Sequence, residues 1–140
     1  MSKVLGIIAE YNPFHNGHLY HLEQSKKETG ATYTVAIMSG NFTQRGNTSI
    51  IDKWSKAESA LHCGIDLVLE LPVLYSISSA ENFADGAIKI LDSLKVVDYL
   101  SFGAETADVS TLNEIAKVLY TEPRKYKTFL SHELKKGLSF

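Results

Sequence analysis

A single cysteine, Cys63, stands in a chain of 140 residues. One thiol cannot close an internal disulfide framework, and such sparing use suits a reducing, cytoplasmic setting. Cys63 ends an apolar helical stretch, so a buried structural thiol is expected there and not a nucleophile. Long apolar runs are missing too: none reaches the roughly 18 residues of a membrane span. The opening MSKVLGIIAEYN has no long apolar stretch ending at a small-residue cleavage site, so it reads as a first strand and not a signal peptide. Charge of one sign is not in excess either. The formal net charge is −2, which gives no global field for nucleic acid. An anionic ligand would need local positive groups or helix N-termini. There is no internal repeat, low-complexity stretch or obvious linker, and the length fits one domain, residues 1–140, with its own core.

What is present alternates. VLGIIAE (4–10), TYTVAIM (32–38), DLVLELP (66–72) and VVDYLSFG (96–103) are short apolar, β-branched runs that predict buried strands. Between and after them, 17–30, 52–64, 78–94, 110–120 and 123–137 predict helices. Gly30, Gly64 and Gly137 are expected as their C-terminal stops and Asp52 as an N-cap. Ser110 or Thr111 is expected to cap the fourth helix, with Glu114 closing a capping box. Pro123 is expected in the first turn of the last. Strand–helix alternation argues an α/β, Rossmann-like fold, a parallel sheet covered by helices. Ligands in such sheets bind beyond the carboxyl ends of the strands. The polar loops YNPFHNG, SGNFTQRGNTSI and GAETAD are expected to gather there.

The first of these loops carries the chemistry. Pro13 forces Asn12 out of helical geometry, so the chain turns after Glu10. Gly17 has no Cβ and lets a ligand or backbone approach closely. A helix N-terminus after a first strand is an anion site through its free N–H groups and dipole. His15 and His18 bracket that terminus and can donate to phosphate oxygens. The spacing of His15, His18 and His21 also admits a metal reading. No Cys or carboxylate completes a clear ligand set, so a zinc module is disfavoured and no metal ligand is assigned. His21, one turn into the helix, is expected as a wall or surface residue.

His15-Asn16-Gly17-His18, placed after an apolar strand and a proline, resembles the His-x-Gly-His motif of the nucleotidyltransferase superfamily. Asn12 stands where that superfamily often has an acid. AEYNPFHNGHLYHL, MSGNFTQRG, DKWSKAESAL, GIDLVLELP, SAENFADGA and SFGAE together resemble the N-terminal part of the tRNA(Met) cytidine acetate ligase family. The resemblance implies ATP, with Mg²⁺ as its chelate, acetate and elongator tRNA(Met) as partners. It implies activation of acetate to acetyl-adenylate and N4-acetylation of the wobble cytidine. Carried onto this chain, it implies His15 and His18 as catalytic groups. It also implies ATP contacts from Ile8, Ala9, Glu10, Tyr11, Asn12, Pro13, Phe14, Asn16, Gly17, Leu19, Tyr20 and His21, together with Gly103.

Other charges are weaker candidates. Arg45 and Lys53 are possible phosphate or tRNA contacts; Lys53 and Lys56 otherwise read as a solvated helix face. Arg124, Lys125, Lys127, Lys135 and Lys136 form a basic stretch, with a solvated face again the plainer reading. A second superfamily motif is not visible. Thr121-Glu122-Pro123-Arg124 is the nearest string and reads as a helix junction. The chain is therefore expected to be the front part of a longer ligase, holding half of an ATP site. Two other functions stay open: a cofactor-pathway adenylyltransferase, which Asn12 and MSGNFTQRG disfavour, and a nucleotide-binding module inactive by itself.

Overall fold

The four β-branched runs become strands β1 (Val4–Ala9), β2 (Tyr33–Ser39), β3 (Leu67–Leu71) and β4 (Tyr99–Ser101) in the computed structural model, which describes residues 2–105 and 108–137. They form one parallel sheet in the order β3-β2-β1-β4. Helices α1 (Asn16–Thr29) and α2 (Lys53–His62) connect β1 to β2 and β2 to β3. The short α3 (Val73–Ser76) and α4 (Ala80–Ser93) lead to β4. The residues group into two compact units, Met1–Gly103 and Ala104–Phe140. The second contains α5 (Val109–Thr121) and α6 (Arg124–Lys135).

The strand period of two splits the sheet's side chains between two apolar layers. Leu5, Ile7, Ala36 and Met38 pack with Leu22 of α1 and Ala60 of α2. Val35, Ile37 and Leu71 pack with Ala87 and Leu91 of α4, and Phe83 and Ile90 lie against them. Phe83, Ala87, Ile90 and Leu91 thus form the face that α4 turns to the sheet. A Cβ on Gly6 would lie 3.0 Å from Leu91 and 3.1 Å from Val97, so α4 sits close on β1.

The chain steps outward from β1 to β3, then returns across the opposite face to place β4 on the free edge of β1. The order reverses between β1 and β4. A crevice beyond the carboxyl ends of these two strands is where an open α/β sheet receives a ligand.

Several local expectations are corrected. Val73–Ser76 forms a helical turn in a stretch to which the sequence pattern assigned no element. Strand β4 starts only at Tyr99, because Asp98 turns its carboxylate to the Val4 amide at 2.8 Å. Asp108, not Ser110 or Thr111, caps α5, accepting from the amides of both at 3.0 and 3.2 Å. A carboxylate placed two and three residues ahead of free amides is the better acceptor. Pro123 is the N-cap of α6, one residue before its first turn. Cys63 is half-buried at the C-cap of α2 and is not a core thiol. Thr106 and Ala107 of GAETAD, and residues 138–140, lie outside the described residues. Among the described residues no helix is long and apolar enough to cross a membrane.

Candidate functional site

The turn after β1 is built on an inward tyrosine. Tyr11 takes a left-handed φ of 47° and is 2% exposed. That backbone costs about 1–2 kcal/mol for a residue with a Cβ. Burying a ring of this size recovers about as much or more. Its ring centroid lies 4.8 Å from that of Phe14 and 4.9 Å from that of His18. Burial pushes the phenol well above its ordinary range. Tyr11 is therefore the floor on which the histidine loop rests.

His15 and His18 cap α1 for each other. The Gly17 amide donates to His15 Nδ1 at 3.1 Å, and the His15 amide donates to His18 Nδ1 at 3.2 Å. The rings stack with centroids 3.7 Å apart and 23° between planes. An Nδ1 that accepts from a backbone N–H carries no proton, so each neutral ring bears its proton on Nε2. The helix cap thus dictates the tautomer, and two Nε2–H donors stand side by side. Burial, then the neighbouring His15 and His21, hold His18 below the usual imidazole range. A neutral His18 donates a hydrogen bond at pH 7 without adding charge.

This geometry corrects two expectations. The amides of His18 and Leu19 both donate to the His15 carbonyl, at 2.9 and 3.2 Å, and that of Gly17 is taken by the His15 ring. The Gly17, His18 and Leu19 amides are thus engaged, the Asn16 amide donates to no acceptor among the described residues, and anion affinity rests on that amide, the imidazoles and the helix dipole. Gly17 is needed for the His15 ring: a Cβ there would lie 3.0 Å from Cε1 and 3.1 Å from Nδ1. No acidic residue occupies the first turn of α1 to oppose an anion.

His21 does not join the pair. Its Nε2 is 2.8 Å from Ser101 Oγ at the end of β4. Ser25 Oγ lies 2.7 Å from the same hydroxyl and donates to the His21 carbonyl. The three groups pin α1 to β4 beneath the crevice. Burial holds the His21 pKa below its usual range. Among the described residues no group of three or more His, Cys, Asp or Glu is placed to hold a metal ion.

The second loop, residues 40–50, is firmly attached to the first. The Gln44 amide donates to Glu10 Oε1, and the Ile50 amide donates to Asn12 Oδ1 at 2.7 Å. Thr43 and Asn47 close the loop on itself, and a bridge joins Phe42 to Thr48. Ser76 Oγ of α3 donates to the Phe42 carbonyl at 2.9 Å. Beneath it lies Lys56, wholly buried. Its Nζ donates to the Gly40 carbonyl at 2.9 Å, to Ser49 Oγ at 3.1 Å and to Ser39 Oγ at 3.5 Å. Burial lowers its pKa, and the charges of Glu10 and Glu70 push it back up. The solvated face expected for Lys56 is therefore wrong. One signal was available: Lys56 lies one helical turn before Ala60, the buried residue of α2. The Lys53 ammonium pairs with Glu70 at 2.6 Å. Arg45 is exposed and, among the described residues, joins no ion pair.

A protein-family model described as HIGH Nucleotidyl Transferase matches residues 2–140. The chain belongs to the HIGH nucleotidyl transferase family. The capped pair of His15 and His18 lies within the matched residues. The chain is 58% identical over 137 residues to a tRNA(Met) cytidine acetate ligase of Thermoanaerobacter sp. strain X514, covering 98% of this chain and 34% of that one. It is 59% identical over 138 residues to a protein of the same name from Caldanaerobacter subterraneus, with 99% and 34% covered. The crystal structure of Thermotoga maritima TmcAL bound with alpha-thio ATP superposes with a TM-score of 0.89 at 51% identity, covering 99% of this chain and 34% of that one. The chain spans about a third of the length of these relatives.

Within this member of the family, the candidate nucleotide contacts separate by position. Ile8 packs toward α4 and Ala9 toward α1 and α2, leaving β1's end as the crevice wall. Asn16, Gly17 and His15 are exposed at the α1 terminus, with His18 and Leu19 half-buried. Pro13 and Tyr20 are exposed, while Phe14 is packed against the core beside Tyr11. Gly103 is exposed two residues beyond β4, with open space around its missing Cβ. In the second unit, Lys127 pairs with Glu122 at 2.9 Å and Lys136 with Glu133 at 2.8 Å, so those two members of the basic stretch are spent locally.

Proposed function

We propose that this chain binds the triphosphate of ATP at the β1–α1 turn and activates acetate by adenylyl transfer. The observation that carries this reading is the reciprocal cap, which fixes two adjacent Nε2–H donors at the positive end of α1. The relatives' name and the ATP analogue in one relative support the choice of nucleotide and acid. An acetate oxygen would attack the α-phosphorus while the bond to the bridging oxygen breaks, giving acetyl-adenylate and pyrophosphate. The carboxylate is already a nucleophile and needs no base. The protein's work is positioning and charge relief, with His15 and His18 donating to phosphate oxygens. Mg²⁺ would enter on the phosphates, because no carboxylate cluster among the described residues offers it a protein-held site. In the second step the wobble cytidine of elongator tRNA(Met) takes the acetyl group at N4 and releases AMP. We place the reaction in the cytoplasm on the tRNA substrate.

A second reading keeps only the first half of this account. The capped histidine pair by itself accounts for nucleotide binding and not for turnover. Acetate-dependent exchange of labelled pyrophosphate into ATP decides between the two. Exchange that requires acetate supports adenylyl transfer. ATP binding without exchange supports the module. Exchange driven by a phosphomonoester and not by acetate contradicts both and favours a cofactor-pathway adenylyltransferase.

A further inference from the structure

Between the β1 turn and the second loop lies an open hollow of about 580 Å³, lined by Glu10, Asn12, Gln44, Arg45, Thr48 and Ile50 among others. That volume suits a small-molecule site of about 300–1,000 Å³. It lies on the β2 side of the turn, whereas the nucleotide crevice lies on the β4 side. Glu10 carries the most telling chemistry. Its Oε1 is occupied by the Gln44 amide, while Oε2 accepts no hydrogen bond among the described residues. The side chain is thus fixed by one oxygen and open at the other. Asn12 is held in the same way by the Ile50 amide. Arg45 stands at the rim without an ion-pair partner among the described residues.

A pre-aimed carboxylate oxygen calls for an N–H donor. An unpaired guanidinium lining the same hollow calls for a phosphate. A nucleotide with an exocyclic amine supplies both. Enzymes that act on a base take it out of the stack and read its Watson–Crick edge in such a pocket. Carboxylates accept from the N4 amine of cytosine, where uracil would present an acceptor oxygen instead.

Resting on the proposed acetyl transfer to cytidine, we propose that this hollow receives the acceptor cytosine, with Glu10 Oε2 taking its N4–H and Arg45 its neighbouring phosphate. In the transfer step the N4 lone pair forms a bond to the acetyl carbonyl carbon. The bond from that carbon to the adenylate oxygen breaks and AMP leaves. The proton lost from N4 passes to Glu10 Oε2. Glu10 is then a catalytic residue for the second step, and its position just before the turn puts it between the two substrates.

The test is an NMR titration of the protein with CMP and with UMP, each in the presence of saturating ATP. CMP is expected to move the amide signals of residues 43–50 while those of His15 and His18 stay at their ATP-bound positions. UMP should bind at least about tenfold more weakly, the factor expected when an accepting charged group loses its donor. Glu10→Gln should remove the preference for CMP, and Arg45→Gln, at an exposed position where folding is not at issue, should weaken CMP and UMP alike. Equal binding of UMP, displacement of CMP by ATP, or no response of residues 43–50 to CMP would each overturn the assignment. Failure of ATP itself to move His15 and His18 is a separate result and counts against the nucleotide site instead.

Discussion

Gly17 sits where its absent Cβ leaves room for the imidazole that caps its own amide. Gly17→Ala is expected to push the His15 ring off Nδ1 acceptance. It should cost about 1 kcal/mol in stability, the size of a lost N-cap, and weaken ATP at least several-fold. Chemical denaturation and ATP titration of the variant measure the two effects; unchanged ATP affinity would separate Gly17 from the site. Asn12 offers a second residue-level check. Asn12→Ala leaves the Ile50 amide without its acceptor and should cost about 1 kcal/mol, whereas Asn12→Asp keeps an acceptor there and should be milder in denaturant melts. The identities of His15, Gly17 and His18 were readable from the string. Their mutual capping was not, because Ser, Thr, Asp and Asn are the usual caps and an imidazole in that role has no distinctive spacing. The separation of His21 from the pair was also legible, while its partner Ser101, distant in sequence, was not.

At the scale of elements, the loop of residues 40–50 illustrates what patterning misses. Its Gly, Asn, Ser and Thr content announces irregular backbone and says nothing of how rigid it is. Side-chain attachments supply that: Lys56 from below, Ser76 from α3, and Glu10 and Asn12 from the first turn. Lys56→Met keeps much of the volume and removes the buried donor to the Gly40 carbonyl and the Ser49 hydroxyl, leaving Ser49 Oγ alone on that carbonyl. A loss of about 1–3 kcal/mol follows, with faster hydrogen exchange at residues 41–50 than in the sheet. Equal protection in variant and parent would show that Lys56 does not hold the loop. Likewise a Cβ at Gly86 would run into the Tyr75 ring, so Gly86→Ala should pry α3 from α4 at a cost of about 1–3 kcal/mol in a denaturation curve. Strand and helix identities were legible because short β-branched apolar runs bounded by turn residues differ from the longer capped segments between them. The start of β4 and the cap of α5 were not, since a single aspartate decides each.

Over the whole molecule, the parallel order β3-β2-β1-β4 converts a motif into a place. Alternation in the sequence argues such a sheet, but only the order locates the reversal beside β1 and so the crevice. The half-buried imidazoles of His18 and His21 also give the fold a pH signature. His18 and His21 both have pKa values below the ordinary one, so the unfolded chain takes up protons that the folded one refuses. Stability should therefore be full above about pH 6.5 and fall as pH drops below it. Urea midpoints at pH 7.5 and 5.5 test this, and a flat or rising profile would contradict it. The central claim is that two neutral Nε2–H imidazoles, set by a reciprocal helix cap, receive the triphosphate. A ¹⁵N-edited histidine spectrum recorded with and without ATP tests it most directly. His15 and His18 should both report the Nε2–H tautomer and shift on adding ATP, while His62 stays in place; Nδ1–H tautomers, or an ATP response that leaves both rings unmoved, would contradict the account.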